Sequence, residues 1–154
     1  MAQTTVAVAA WPAAGLVIFY PFGIPEAMTV TKLLYGVGGA NGNVDAGIYL
    51  PNGTLVVSAG TTAAAGSANV TALDITDTVL ARGVYYMAFV CDTVTTLTIY
   101  SKAPAVGIGQ SLGLLEQASV TLPLATHASP ATFAKYTRAY VPYVGLQGYR
   151  TVGP

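Results

Sequence analysis

From Asn43 to Tyr100, apolar and polar residues alternate in short runs bounded by Gly, Pro, Asn or Asp. Val44, Ala46, Ile48 and Leu50 share one face of an extended segment, and Asp45, Gly47 and Tyr49 share the other. A period of two, in runs rich in Val, Ile, Thr and Tyr, predicts successive antiparallel strands. Pro51-Asn52-Gly53 predicts a hairpin turn, because Asn and Gly accept the positive φ that such turns need. Leu55 to Ser58 is the returning strand, and Thr61 to Ser67 is a loop of small residues. Asn69 to Ile75 predicts a strand with an irregularity at Leu73-Asp74-Ile75, followed by a connection from Asp77 to Arg82. Gly83 to Val90 is apolar at nearly every position, so both of its faces should be covered. Thr95 to Tyr100 alternates again. Short strands at this spacing predict a β-sandwich of jelly-roll type.

Upstream, Val6 to Ile24 is uncharged and largely apolar. Pro12, Pro21, Gly15 and Gly23 interrupt it, and no cation precedes it, which argues against a membrane span or a secretory signal. It predicts two strands, Thr4 to Ala10 and Leu16 to Tyr20, the second ended by Tyr20-Pro21-Phe22. Met28 to Val37 predicts another strand, and Gly36, Gly38, Gly39 and Gly42 a flexible turn. The pattern after that turn is a strand, so the glycines do not form a phosphate loop, which needs a helix behind it. Past Lys102 the pattern weakens. Val106 to Ser119 predicts a loop with a helical turn, and Thr121 to Ser129 an extended segment. The tyrosine-rich end, from Arg138 to Pro154, fits either a last strand or an arm reaching a neighbour. No heptads appear, so no coiled-coil shaft is encoded. The expectation is a single domain over residues 1–154, with a core over about 16–100 and a C-terminal segment over 101–154.

Composition changes what such a sandwich is for. Of 154 residues, 53% are hydrophobic and only 8% charged, against about 25% charged in an ordinary domain. Six basic and six acidic side chains cannot cover the surface, so part of it is apolar and meets partners. The zero net charge gives no case for nucleic-acid binding. Lys135, Arg138 and Arg150 make the C-terminal segment mildly basic, either as solvated cations or as a dock for an acidic partner. The single cysteine, Cys91, excludes an intrachain disulfide and reads as a buried small hydrophobe.

Candidate chemistry is sparse. Gly109-Gln110-Ser111-Leu112-Gly113 matches a nucleophile elbow, with Glu116 and His127 in the serine–acid–histidine order. The chain lacks the strand–helix alternation of such hydrolases, so no catalytic residue is assigned. Asn41, Asn43 and Asp45 alternate as oxygen ligands, but no later bidentate Glu completes a calcium loop. Asp74, Asp77 and Asp92 read as turn residues or as a cluster at one end of the sandwich. His127 has no acid, Cys or His near it in sequence. No metal and no cofactor is expected. Asn52 and Asn69 head glycosylation sequons, yet nothing indicates a secretory route. Ten tyrosines and Trp11 suit protein interfaces as well as sugar stacking, and a glycan is the less favoured partner.

Tyr20-Pro21-Phe22, then GNVDAGIYLPNGTLVVSAG, then DITDTVLARGVYYMAFV, then YVPYVGLQGYR resembles small bacteriophage virion proteins of the head-decoration, tail-fibre or minor structural type. The matching positions are Asn43 to Gly60, Leu80 to Val90 and Val141 to Arg150. The resemblance implies a non-enzymatic capsid decoration or cement protein on the particle surface, made in the host cytoplasm. Its partners would be itself, as a homotrimer, and the major capsid protein, with no nucleic acid and no membrane. A tail-fibre or receptor-binding module is the alternative. The expected contact residues are Trp11, Phe19, Tyr20, Phe22, Lys135, Arg138, Tyr140, Tyr143, Tyr149 and Arg150, in the apolar N-terminal run and the C-terminal arm.

Overall fold

The computed structural model describes residues 6–93, 96–100, 110–128, 133–138 and 140–150. It is all-β. The strands are β1 (Val6–Ala10), β2 (Val17–Ile24), β3 (Met28–Gly39), β4 (Asn43–Tyr49), β5 (Leu55–Ser58), β6 (Thr62–Ala63) and β7 (Ser67–Leu80). They continue as β8 (Gly83–Cys91), β9 (Thr96–Tyr100), β10 (Leu115–Gln117), β11 (Ala134–Lys135), β12 (Val141–Pro142) and β13 (Val144–Arg150). Two antiparallel sheets pack together. A six-stranded sheet runs β1-β9-β3-β13, with β7 added on β3 and β12 on β9. A seven-stranded sheet runs β11-β10-β2-β8-β4-β5, with β6 added on β4.

The expected alternation in β4 is realised on both faces. Val44, Ala46 and Ile48 enter the core between the sheets, while Asp45, Gly47 and Tyr49 point the other way and are buried too. β8 is likewise covered on both sides, with Met87, Phe89 and Cys91 facing inward and Ala88 and Val90 outward. The inner core adds Leu33, Tyr35 and Val37 from β3, Leu73 and Leu80 from β7, and Trp11, Tyr136 and Tyr140 from the connections. Cys91 is fully buried in it, and burial pushes its thiol pKa well up.

Several expectations are corrected. Tyr20-Pro21-Phe22 does not end β2, which runs on to Ile24. β10 flanks β2 only at Val17 to Phe19, so the missing N–H of Pro21 costs no ladder bond on that side. Gly36, Gly38 and Gly39 lie in β3, and only Gly42, at φ +68°, serves the turn. The connection read at Asp77 to Arg82 is largely strand, because β7 continues against β3 to Leu80. The irregularity lies at Ile75 to Asp77, which bulge opposite Thr31. β6 interrupts the predicted small-residue loop. Of the Thr4 to Ala10 segment, Thr4 and Thr5 lie outside the described residues, as do 101–109 of the C-terminal segment. The described part of the C-terminal end is no free arm: β13 pairs with β3 of its own sheet.

That placement is testable through two glycines of β13. A Cβ on Gly148 would run into the carbonyl oxygen of Thr29, whereas one on Gly145 would meet only Leu34 at 3.9 Å. Gly148→Ala is expected to cost about 1–3 kcal/mol in urea unfolding, as overpacking does, and Gly145→Ala to be near neutral. Equal effects would place β13 elsewhere.

Candidate functional site

The two sheets differ on their outer faces. The outer face of the seven-stranded sheet carries a second core of Val17, Phe19, Tyr49, Ala88 and Val90, closed by Leu124 and Ala128. The covering segment, residues 118–128, is fastened largely through its backbone. Tyr49 Oη donates to the Ala125 carbonyl at 2.6 Å, Leu55 N to Thr126 O at 2.9 Å, and Ala128 N to Gly53 O at 2.8 Å. Gly47 gives it room: a Cβ there would sit 3.1 Å from the Leu124 and Leu55 side chains.

Asp45 is the acid in this layer and is fully buried. Its Oδ2 accepts the Leu124 amide at 2.8 Å. Oδ1 has no hydrogen bond of regular geometry. Burial raises the pKa above the usual 3.8, and the backbone amides of Leu124, Ala46 and Gly60 offset this only in part. Next to it, burial and the Asp45 charge push Tyr49 up to about 12.

The outer face of the six-stranded sheet is described over β3, β7 and β13. Cross-strand rows there run Val70–Gly36, Ala72–Leu34–Gly145, Asp74–Lys32–Gln147 and Val79–Thr29–Tyr149. Three of the five exposed large hydrophobics lie on it: Val70, Val79 and Tyr149, at 51%, 63% and 57% exposure. Its central charges cancel, since Lys32 Nζ reaches Asp74 Oδ1 at 2.7 Å. No described segment crosses this face.

The expected contact residues scatter. Trp11, Phe19 and Tyr140 are inside their own subunit, which corrects their assignment as surface contacts. Trp11 sits edge-on to Phe89 and Tyr140, at centroid distances of 5.4 and 5.5 Å. Tyr20 and Phe22 are half-buried against the inner core, and Tyr143 is half-buried beside β13. Arg138 Nε pairs with Glu116 Oε2, and Arg150 with Glu26, each at 3.3 Å, so two of the three C-terminal cations are partnered within the chain. Lys135 and Tyr149 are exposed. Val70, Val79 and Leu34 were missed, because an exposed valine on a period-two strand looks like a core position.

The candidate chemistry does not assemble. Glu116 takes Thr137 and Arg138, while His127 bridges Thr54 at the hairpin tip. Gly109 lies outside the described residues. Asn43 turns to Asp92 and Asp45 to Leu124, so Asn41, Asn43 and Asp45 do not converge. Asp74 faces Lys32, away from Asp92. Two bonds from Asn43 hold the Asp92 carboxyl below its usual pKa. Among the described residues no three His, Cys, Asp or Glu side chains form a metal site. No described helix is long and apolar enough to cross a membrane. An open groove of about 480 Å³ near Gly15, Asp92, Ser119 and Thr121 has no aromatic lining on which a sugar would stack. No protein-family model, no curated protein and no solved structure matches the chain.

Asp45 makes stability depend on pH in a defined sense. A carboxyl whose folded pKa is raised binds its proton more tightly in the folded state, so stability falls as pH rises from about 3.8 through the raised value. Asp45→Asn keeps an acceptor for Leu124 and removes the charge. Denaturant unfolding should show the variant at least as stable as the parent at pH 7, with a flatter slope above pH 4. A variant markedly weaker at pH 7 would mean that the ionised acid is stabilising.

Proposed function

We propose that this chain is a non-enzymatic structural protein of a bacteriophage particle, a decoration or cement protein that binds the capsid surface as an oligomer and stabilises it. The observation that carries the proposal is the contrast between the two sheets. One is covered on its outer face by residues 118–128 over Phe19, Tyr49, Ala88 and Val90, with Val84 left exposed at its end, while the other leaves Val70, Val79, Tyr149 and half-buried Leu34 on a face that no described segment crosses and whose central charges are already paired. A flat, nearly uncharged sheet face suits contact with another protein surface. Burying it contributes about 25 cal/mol per Å² before association costs, and repeated copies on one particle add by avidity. The sequence resemblance supplies the particle. The contact surface lies on this face instead of on Trp11, Phe19 and Tyr140, and Lys135 stands free to meet an acidic neighbour. The resemblance implies a trimer, whereas the strand edge argued below favours a two-fold pair instead. A fibre or glycan-binding module would need an exposed aromatic cleft with polar partners, and Tyr149 is the one aromatic residue among the described exposed large hydrophobics.

Particle images decide placement: density at capsid symmetry axes is expected, and density confined to the tail would sink the proposal. Added to particles that lack it, the protein should raise their resistance to heat. Val79→Asp combined with Tyr149→Asp should weaken binding to such particles at least tenfold while the isolated protein keeps its melting temperature.

A further inference from the structure

We infer that two copies of this chain pair through β7, antiparallel and about a two-fold axis, joining their six-stranded sheets into one. The inference rests on the strand edge and is independent of the particle-surface proposal. β7 has fourteen residues and pairs only with β3. Among the described residues no backbone–backbone bond joins it to anything but β3, so alternate N–H and C=O groups along it face outward; the Thr71 hydroxyl donates to the Ala65 carbonyl, and the Thr78 hydroxyl to the Thr76 carbonyl in the bulge. Natural edges are blunted by Lys, Pro, short length, bulges or a covering segment. β7 has neither Lys nor Pro, and its one bulge, at Ile75 to Asp77, leaves the preceding stretch regular.

What fits such an edge is another strand, and the charges say which. Asp77 lies in the bulge, and Asp74 is already held by Lys32 at 2.7 Å. Asn69 to Leu73 is therefore an uncharged run that offers nothing to select a basic foreign strand. Ala68, at φ +51°, bends the chain at the start of this run. Full overlap of the run with its own copy centres the axis on Thr71. Val70 then faces Ala72 of the second copy, Thr71 faces Thr71, and the two Asp74 residues stand at opposite ends. Thr–Thr and apolar pairs directly across an antiparallel join are favourable, and the isologous contact closes at two copies.

The full chain in sedimentation equilibrium is expected to reach twice its 15.7 kDa mass as concentration rises. Val70→Lys combined with Ala72→Lys, both at exposed positions, should leave a folded monomer. Directly opposed Cα atoms in such a pair are about 4.5–5.5 Å apart, within disulfide range. Thr71→Cys should therefore form an oxidised crosslinked dimer, and Val79→Cys should not. A parent chain that stays monomeric, or reaches three times the chain mass, overturns the pairing. So does a double-lysine variant that still associates. An uncrosslinked Thr71→Cys overturns the Thr71-centred pairing.

Discussion

The β4–β8 ladder is the constraint on which the rest of the structure depends. Its alternate residues feed two cores at once. Ile48, Met87 and Phe89 fill the space between the sheets, and Tyr49, Ala88 and Val90 support the layer outside. A strand pair buried on both faces needs outward side chains that are small, or polar and satisfied, where the covering segment comes close. Gly47 and Ala88 meet the first requirement. Asp45 meets the second at a cost, since a buried carboxylate with one good amide donor is undercompensated. Its return is positional: the Asp45–Leu124 bond helps fix residues 118–128 over the sheet, a segment otherwise held by backbone bonds and a few apolar contacts.

That arrangement separates what could be read from the sequence from what could not. β8 was legible on both faces from its continuous apolarity and β4 on its inner face from strict alternation, but the burial of Asp45, Gly47 and Tyr49 was not, because it depends on residues 118–128 crossing that face. The Pro51-Asn52-Gly53 turn was legible from its chemistry, and Gly53 sits at φ +87° with its N–H on the Leu50 carbonyl. The full length of β7 was not. Asp74, Thr76 and Asp77 are turn-forming types, and only the pairing with β3 on either side of the bulge, at Asp74–Lys32 and Thr78–Val30, carries the strand through them. Pro21 misled for a related reason, since its effect depends on whether a neighbour stands on its N–H side, and that neighbour, β10, is almost a hundred residues away in sequence. The C-terminal tyrosines carried no local sign of their partners. Tyr140 enters the core beside Trp11 while Tyr149 is left outside, although both lie in the same tyrosine-rich run.

The proposed contact surface shows the same limit. Aromatic content marked Trp11 and Phe19 as interface residues, yet large aromatic side chains bury the most area and are drawn first to the interior. The exposed apolar positions are instead modest valines on β7, visible only once the sheet faces are known. Residues 118–128 cover the second sheet, and no described segment crosses the face of β3, β7 and β13 on the first.

The low charge count then takes on a structural sense. Lys32–Asp74, Arg138–Glu116 and Arg150–Glu26 use half of the twelve charged side chains. The exposed pairs, Lys32–Asp74 and Arg150–Glu26, add little to stability, about 0–1 kcal/mol each. Their larger effect is on the field. Where charges are paired in this way the surface neither repels its own copy nor steers a particular ligand over distance, because opposite charges a few ångströms apart cancel within a Debye length. Association by such a chain must therefore gain its specificity at short range, from strand edges, sheet-face shape and the register of apolar rows. A protein that meets many identical neighbours in a fixed geometry can work with short-range specificity alone, because the array supplies the orientation that long-range charge would otherwise provide.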